Sequence, residues 1–166
     1  MMHIGHGFDV HAFAEGRRCI LGGVDVPSDR GLMGHSDADV LTHALMDAIL
    51  GALKEGDIGQ LFPDDDPAYE GADSLVLLRR VMEVVRRRGA KLLDCDCTVA
   101  AQAPKLAPYR EQMRENLARA MGVDVSSVGV KATTTERLGF VGREEGIAAW
   151  AVVLLNTDCS GRAGEG

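Results

Sequence analysis

Ile147-Ala148-Ala149-Trp150-Ala151-Val152-Val153-Leu154-Leu155 is the longest purely apolar run in the chain. It is much too short for a bilayer-spanning helix, which needs about 20 residues. Without polar alternation it reads as a strand that must be covered on both faces. Three helical patterns elsewhere in the sequence can cover one face of a sheet. They do not suffice for two. The expected fold is α+β, a single-domain α/β sandwich with helices on one face of a mixed sheet. The second face is expected to pack against other subunits.

Working back from that run, Val128 to Ala132 reads as a strand and Leu92 to Ala101 alternates as another. Between them a helix begins near Pro108, a residue suited to a first helical turn, and ends before Gly122. An earlier helix starts at Asp73 or Ser74, with Leu75, Leu78, Val81, Met82 and Val85 as its core stripe. It ends on Arg86-Arg87-Arg88 and Gly89, where the helix dipole favours cations. Gly56 to Gly71, broken by Pro63 and Pro67, reads as a surface loop. Ser36-Asp37-Ala38-Asp39 is a capping-box-like entry to a helix of about 15 residues. The apolar face of that helix is Val40, Leu41, Ala44, Leu45, Ala48 and Ile49. Cys19 to Val26 is a short hairpin turning at Gly22-Gly23, Gly31 to Gly34 is loop, and residues 3–13 are a strand leading into a loop. One domain is expected over residues 1–156, with residues 157–166 a disordered polar tail.

The net charge is -7. An acidic chain does not carry the basic face that a general nucleic-acid binder needs. It also repels anions, so a phosphate ligand would require local cations, metal ions or backbone N–H groups. Cys19, Cys95, Cys97 and Cys159 include no CxxC pair and read as free thiols in a reducing compartment. No signal peptide or membrane span is visible, and a cytoplasmic location is expected.

Three clusters carry chemistry. In Asp9-Val10-His11 the carboxylate and imidazole project to the same side of an extended strand, about 7 Å apart. His43 lies on the first long helix, with Asp39 one turn before it and Asp47 one turn after, either of which can fix its second ring nitrogen. Asp9, His11 and His43 together offer two nitrogens and one oxygen, a catalytic-zinc ligand set with an open fourth position. Surface hydrogen-bonded pairs and a salt-bridged helix histidine would look the same. Third, Lys131-Ala132-Thr133-Thr134-Thr135-Glu136 places hydroxyls, a cation and a carboxylate at the end of a strand, a mixture suited to phosphates and a hard cation. A solvated threonine-rich strand end is the plainer alternative.

Eight blocks then occur in order: His6 to His11, Gly34 to Asp39, Asp57 to Gly59, Phe62 to Asp66, Gly71 to Ser74, Ala101 to Lys105, Lys131 to Glu136, and Gly139-Phe140 through Gly146. Together, over residues 3–155, they resemble the 2-C-methyl-D-erythritol 2,4-cyclodiphosphate synthases of the non-mevalonate isoprenoid pathway. The resemblance implies a homotrimer, its sheets packed around the axis and its active sites between subunits. It implies a zinc-like ion on Asp9, His11 and His43, and a second ion, magnesium or manganese, held by Glu136 and the substrate's phosphates. Asp9 and His11 also meet the substrate in this reading. His35 and Thr134 match the positions that steady the transition state, and His35 and Ser36 those that meet the phosphates. Asp57, Ile58 and Gly59 match the segment beside the erythritol. Phe62, Pro63, Asp64, Asp65 and Asp66 match a mobile closing loop.

The cytidine and diphosphate pocket corresponds to Ala101, Gln102, Ala103, Pro104, Lys105, Leu106, Ala107, Thr133, Thr134, Thr135 and Glu136. Phe140 and Arg143 match residues near the trimer axis. Departures from the family pattern are Ala38 and Glu144, where glycine is frequent, and Leu106-Ala107, where a bulkier pair is usual. The implied reaction is an intramolecular phosphoryl transfer on a cytidine diphosphate-linked sugar alcohol phosphate, expelling CMP. A zinc-dependent phosphodiesterase and a non-enzymatic ligand-binding trimer are rival readings of the same residues.

Overall fold

The apolar run lies within the middle strand of a five-stranded mixed sheet. The computed structural model describes residues 1–63 and 65–157; Asp64, Cys159 and the rest of the tail from 158 lie outside the described residues. In chain order the elements are β1 (Met2–Ala14), β2 (Cys19–Leu21), β3 (Val24–Val26), β4 (Gly31–Leu32), α1 (Val40–Leu53), α2 (Ile58–Leu61), α3 (Ser74–Arg87), β5 (Ala90–Ala100), α4 (Arg110–Met121), β6 (Val128–Thr133), α5 (Gly139–Gly142) and β7 (Gly146–Thr157). The sheet order is β4-β1-β7-β5-β6, with β2 and β3 paired separately. β7 runs antiparallel to both β1 and β5, while β5 and β6 are parallel.

α1, α3 and α4 cover one face. Ile147, Ala149, Ala151, Val153 and Leu155 of β7 point under these helices and are fully buried or nearly so, as are Cys95, Cys97 and Val99 of β5. The alternate residues face away. Trp150 and Val152 of β7 are exposed beside Ile4, Phe8 and Val10 of β1, with the Phe8 and Trp150 rings 5.2 Å apart. Among the described residues one corner of this second face is roofed, where Val141 of α5 packs on Ala100 and Ala148.

α1 lies directly on the backbone of β1. A Cβ on Gly5 would fall 1.8 Å from the Ala48 carbonyl oxygen, and one on Gly7 would fall 1.9 Å from that of Ala44. Two glycines at alternate positions, facing alanines one helical turn apart, bring helix and strand into backbone contact. The start of α1 is fixed by Asp39, which is fully buried. Its carboxylate accepts Thr42 N and Oγ1 at 3.0 and 2.7 Å, and Gly22 N and Gly23 N at 2.9 and 2.8 Å. One side chain therefore caps the helix and ties down the β2–β3 hairpin.

Several details differ from the sequence-based expectation. Gly31-Leu32, read as loop, pairs with Phe13-Ala14 as an edge strand. The 56–71 loop contains α2 and a 3-10 turn at Pro67–Tyr69. Leu77 is buried in addition to the expected stripe, in which Leu75 is half-buried against the core, because α3 also packs against α1. Thr157, assigned to the tail by composition, closes β7 and bonds its N–H to the Met1 carbonyl. Ala38 and Glu144, where the family resemblance leads one to expect glycine, both sit in the left-handed region, at φ 57° and 58°. Those positions favour glycine for conformational reasons, so neither replacement is neutral for the backbone.

The helix–strand contact gives a direct test. Gly7→Ala places a methyl inside the van der Waals radius of a backbone oxygen, and it is expected to cost at least about 1–3 kcal/mol, as overpacked sites do. Urea unfolding measures this. An unchanged midpoint would show that α1 does not rest on β1.

Candidate metal centre and active site

The close approach of α1 to β1 sets the positions of three side chains. Asp9 and His11 project from β1 toward the helices, and His43 points down from α1. Asp9 Oδ2 lies 2.9 Å from His11 Nε2 and 3.1 Å from His43 Nδ1, and the two nitrogens are 3.2 Å apart. Ligand atoms at about 2.0–2.1 Å on a tetrahedral ion are separated by about 3.3 Å, so this triangle is one face of such a polyhedron. These residues form a group able to hold a metal ion.

Ring orientation supports that reading. His11 Nδ1 is 2.7 Å from the Met33 carbonyl, which can only accept, so the proton sits there and Nε2 turns a lone pair to the centre. His43 Nε2 faces two hydroxyls, Ser74 Oγ at 3.0 Å and Ser36 Oγ at 3.2 Å. Neither flanking carboxylate holds that nitrogen. Asp39 caps the helix and hairpin, and Asp47 accepts Ile58 N at 2.8 Å. Burial pushes the Asp9 carboxyl upward, but the adjoining His11 and His43 imidazoles outweigh it and hold it well below the usual carboxylate range. Burial alone would lower the His11 imidazole, yet the Asp9 carboxylate beside it raises it above its ordinary value.

The three donors open onto a cavity of about 290 Å³ shared with His35, Ser36, Ile58, Gly59 and Phe62. Met46, Asp47, Tyr69 and Leu77 also line it. Sequence reasoning did not select these as binding residues, because Met46 and Leu77 look like ordinary core and Tyr69 lies in an irregular segment. This volume is at the small end of the ~300–1,000 Å³ of small-molecule sites. Asp57 and Asp66 stand at its edge with defined structural tasks: Asp57 caps α2 through Gln60 N at 2.9 Å, and Asp66 accepts Ala68 N at 2.9 Å. Their acidity therefore has a local explanation and is not by itself a sign of catalysis. His35 Nε2 is 3.3 Å from the Asp66 carbonyl.

The second expected cluster forms elsewhere, at the carboxyl ends of the parallel pair β5 and β6. Such ends favour ligand sites. There Ala101 N donates to the Thr133 carbonyl at 3.0 Å, and Gln102 Oε1 accepts Arg137 N at 3.1 Å. Ala103-Pro104 is a cis peptide, and Leu106 is buried in the core. Glu136 and Arg137 both have left-handed φ, 52° and 63°, an unfavourable conformation that non-glycine residues adopt mainly at constrained turns. Thr134 Oγ1 lies 3.4 Å from Glu136 Oε1. None of these residues lines the cavity at Asp9. In the sheet order, β6 is three strands from β1, about 14 Å at ordinary strand spacing. Glu136 of the same chain therefore cannot ligate an ion bound at Asp9, His11 and His43.

Lys131, expected to serve the phosphate cluster, is paired with Asp96 on the exposed sheet face. Arg143 pairs with Glu145 at 2.7 Å beside half-exposed Phe140, and Glu144 lies 3.4 Å from Arg30.

The YgbB family model matches residues 2–156. A 2-C-methyl-D-erythritol 2,4-cyclodiphosphate synthase of Geotalea uraniireducens is 62% identical over 154 residues, 93% of this chain and 98% of that protein. The bifunctional IspDF of Campylobacter jejuni superposes with a TM-score of 0.91 at 46% identity, over 95% of this chain but 43% of that longer one. Plasmodium falciparum IspF, solved as a CDP complex, gives a TM-score of 0.82 at 32% identity, covering 95% and 97% of the two chains. Matched along nearly its whole length in sequence and fold, the chain belongs to the YgbB family, alongside 2-C-methyl-D-erythritol 2,4-cyclodiphosphate synthases.

Proposed function

We propose that this chain cyclises 4-diphosphocytidyl-2-C-methyl-D-erythritol 2-phosphate to 2-C-methyl-D-erythritol 2,4-cyclodiphosphate with release of CMP. The observation that carries the reading is the convergence of Asp9, His11 and His43 beside a small cavity, in a chain matching named synthases over nearly its full length. An oxygen of the 2-phosphate attacks the β-phosphorus; one P–O bond forms, the P–O bond to the CMP phosphate breaks, and no water is consumed. Such a transfer needs positioning and charge neutralisation and no covalent nucleophile on the protein. A zinc-class ion at Asp9, His11 and His43, with magnesium or manganese at Glu136, supplies positive charge to the phosphate oxygens when bound.

The chain's own groups do the rest. Ser36 and His35 meet the phosphates from the start of α1, and the α2 segment with Asp57, Ile58 and Gly59 cradles the erythritol. Phe62, Pro63, Asp65 and Asp66 close over it. Thr133 to Glu136 and Ala101 to Ala107 take the cytidine and diphosphate, with Thr134 and His35 donating to the phosphoryl group in flight.

The same reading supplies the missing cover of the sheet. Ile4, Phe8, Val10, Trp150 and Val152 form an apolar face of the kind monomers rarely expose. Three copies packed by these faces about an axis would bury it and set one chain's metal centre against the neighbour's threonine turn. No helix among the described residues is long and apolar enough to cross a membrane, and a cytoplasmic enzyme fits the free thiols.

Purified protein with the cytidine-linked substrate and magnesium should yield CMP and the cyclic diphosphate without incorporating solvent oxygen. Label in the product would instead indicate hydrolysis. His43→Ala should lose bound zinc and fall below about 1% of parent turnover, whereas near-normal CMP release would contradict the assignment. Shared sites make a sharper prediction. His43→Ala and Thr134→Ala chains, each inactive alone, should recover about a quarter of parent activity when co-refolded, because one site in four pairs two intact halves. Sites lying within one chain would give no recovery.

Zinc binding should also depend on pH in a defined direction. Asp9 is ionised well below neutrality, whereas raised His11 holds a proton that the ion must displace. Affinity should therefore weaken as pH falls from about 8 to about 6, with proton release visible by calorimetry in buffers of different ionisation enthalpy. Affinity independent of pH over that range would contradict the ligand set.

A further inference from the structure

We propose that Ser74 and Asp37 are positioning residues that fix His43 in the one tautomer able to bind a metal ion. Neither residue has a part in the reaction as derived above, although Asp37 lies in the same sequence block as His35 and Ser36. Ser74 is the first residue of α3 and is fully buried. Its hydroxyl is not needed as a helix cap, since Asp73 already caps α3 by accepting Leu75 N at 2.8 Å. Instead Ser74 Oγ lies 2.5 Å from Asp37 Oδ1 and 3.0 Å from His43 Nε2.

The direction of each bond follows from proton counting. A carboxylate has no proton to give, and Asp37 also accepts Ser74 N at 3.0 Å and Asp39 N at 3.2 Å. The Ser74 hydroxyl has one hydrogen, and it goes to Asp37. Toward His43 the same oxygen can only accept. A hydrogen bond between Ser74 and His43 then requires the ring proton on Nε2, which leaves Nδ1 unprotonated, facing Asp9 and His11 at 3.1 and 3.2 Å. Outer partners that set tautomer and ring orientation are the general support of metal-bound histidines. Here that support is a carboxylate acting through a serine from a different helix.

Ser36 gains from the arrangement. Its Oγ lies 3.2 Å from His43 Nε2 and accepts Ala38 N at 3.2 Å. With the ring proton on Nε2, His43 donates to the Ser36 oxygen and does not take the Ser36 proton. With the His43 N–H supplied to both serines, that hydroxyl can donate toward the cavity, where a phosphate oxygen would accept it. Asp37 and Ser74 thus orient both a metal-ligating side chain and a substrate-facing donor without themselves touching metal or substrate.

This inference rests on the metal reading of the site, so it is tested first without metal. Histidine ¹⁵N shifts of the metal-free parent near pH 8 should show His43 protonated at Nε2. Asp37→Ala, which leaves the ring's own neighbours in place, should free the Ser74 proton and populate the Nδ1–H tautomer. Zinc affinity by chelator competition should fall about 10- to 100-fold in Asp37→Ala and Ser74→Ala, and Ser74→Thr should restore most of it. A parent protein with His43 protonated at Nδ1, or an Asp37→Ala protein with unchanged tautomer and zinc affinity, would overturn the relay. Should Ser74→Ala fail to fold, the parent and Asp37→Ala spectra still decide. A parent that binds no zinc yet shows the Nε2–H tautomer would remove the metal reading and leave the relay standing.

Discussion

The backbone contact between α1 and β1 is the constraint from which the site descends. A helix held off a sheet by side chains on both surfaces sits farther from the strand than one resting on its backbone, and its histidine would stand farther from a strand carboxylate. Gly5 and Gly7 remove the intervening side chains, and Ala44 and Ala48 do the same from the helix. His43, one residue before Ala44, is thereby lowered to 3.1 Å from Asp9. Close approach also buries α1 on nearly every side, which explains why so few of its residues are polar. One of those few is Asp47, and it bonds α2 to the helix, placing Ile58 and Gly59 at the cavity rim.

Electrostatics then dictates what the cluster must hold. His11 is oriented by a carbonyl and His43 by the Ser74–Asp37 pair, so two lone pairs and a carboxylate oxygen meet within 3.2 Å. Such an arrangement is unstable unless a cation lies among the three. Mutual attraction holds the Asp9 carboxyl low and raises the His11 imidazole. A divalent ion suits the place, because it satisfies all three donors and still presents charge to an incoming phosphate. That local charge offsets the repulsion expected of a chain whose net charge is -7.

Much of this was legible in the sequence, and the remainder was not for identifiable reasons. The strand β7, the hairpin and the three long helices follow from periodicity, caps and glycine turns, with Asp73 and Asp39 marking helix starts within a residue. The metal triad was readable because Asp9 and His11 alternate on a strand and His43 lies on the next long helix. The orientation of His43 was not. Helical spacing pointed to Asp39 and Asp47, its neighbours in sequence, whereas the actual partner is contributed by α3, 31 residues away. Periodicity describes contacts within an element and is silent about those between elements. Lys131 misled for a similar reason: its place before three threonines suggested phosphate, but its strand phase turns it to Asp96 on the opposite face.

That strand phase connects assembly to chemistry. Along β1, Asp9 and His11 point to the helices while Phe8 and Val10 point away, so one element supplies two metal ligands and part of the apolar face. Along β6 the strand ends where the threonine turn begins, at the far edge of the same sheet. A sheet is rigid in its plane, so no small movement in one chain closes the distance between those two clusters. In the proposed trimer a second chain would bring them together, and the surface that would recruit it is the face left open among the described residues, on the very strands that carry the ligands. On this geometry, a substitution on the open face would change both association and turnover, because packing of the sheets and completion of the site follow from the same alternation of side chains.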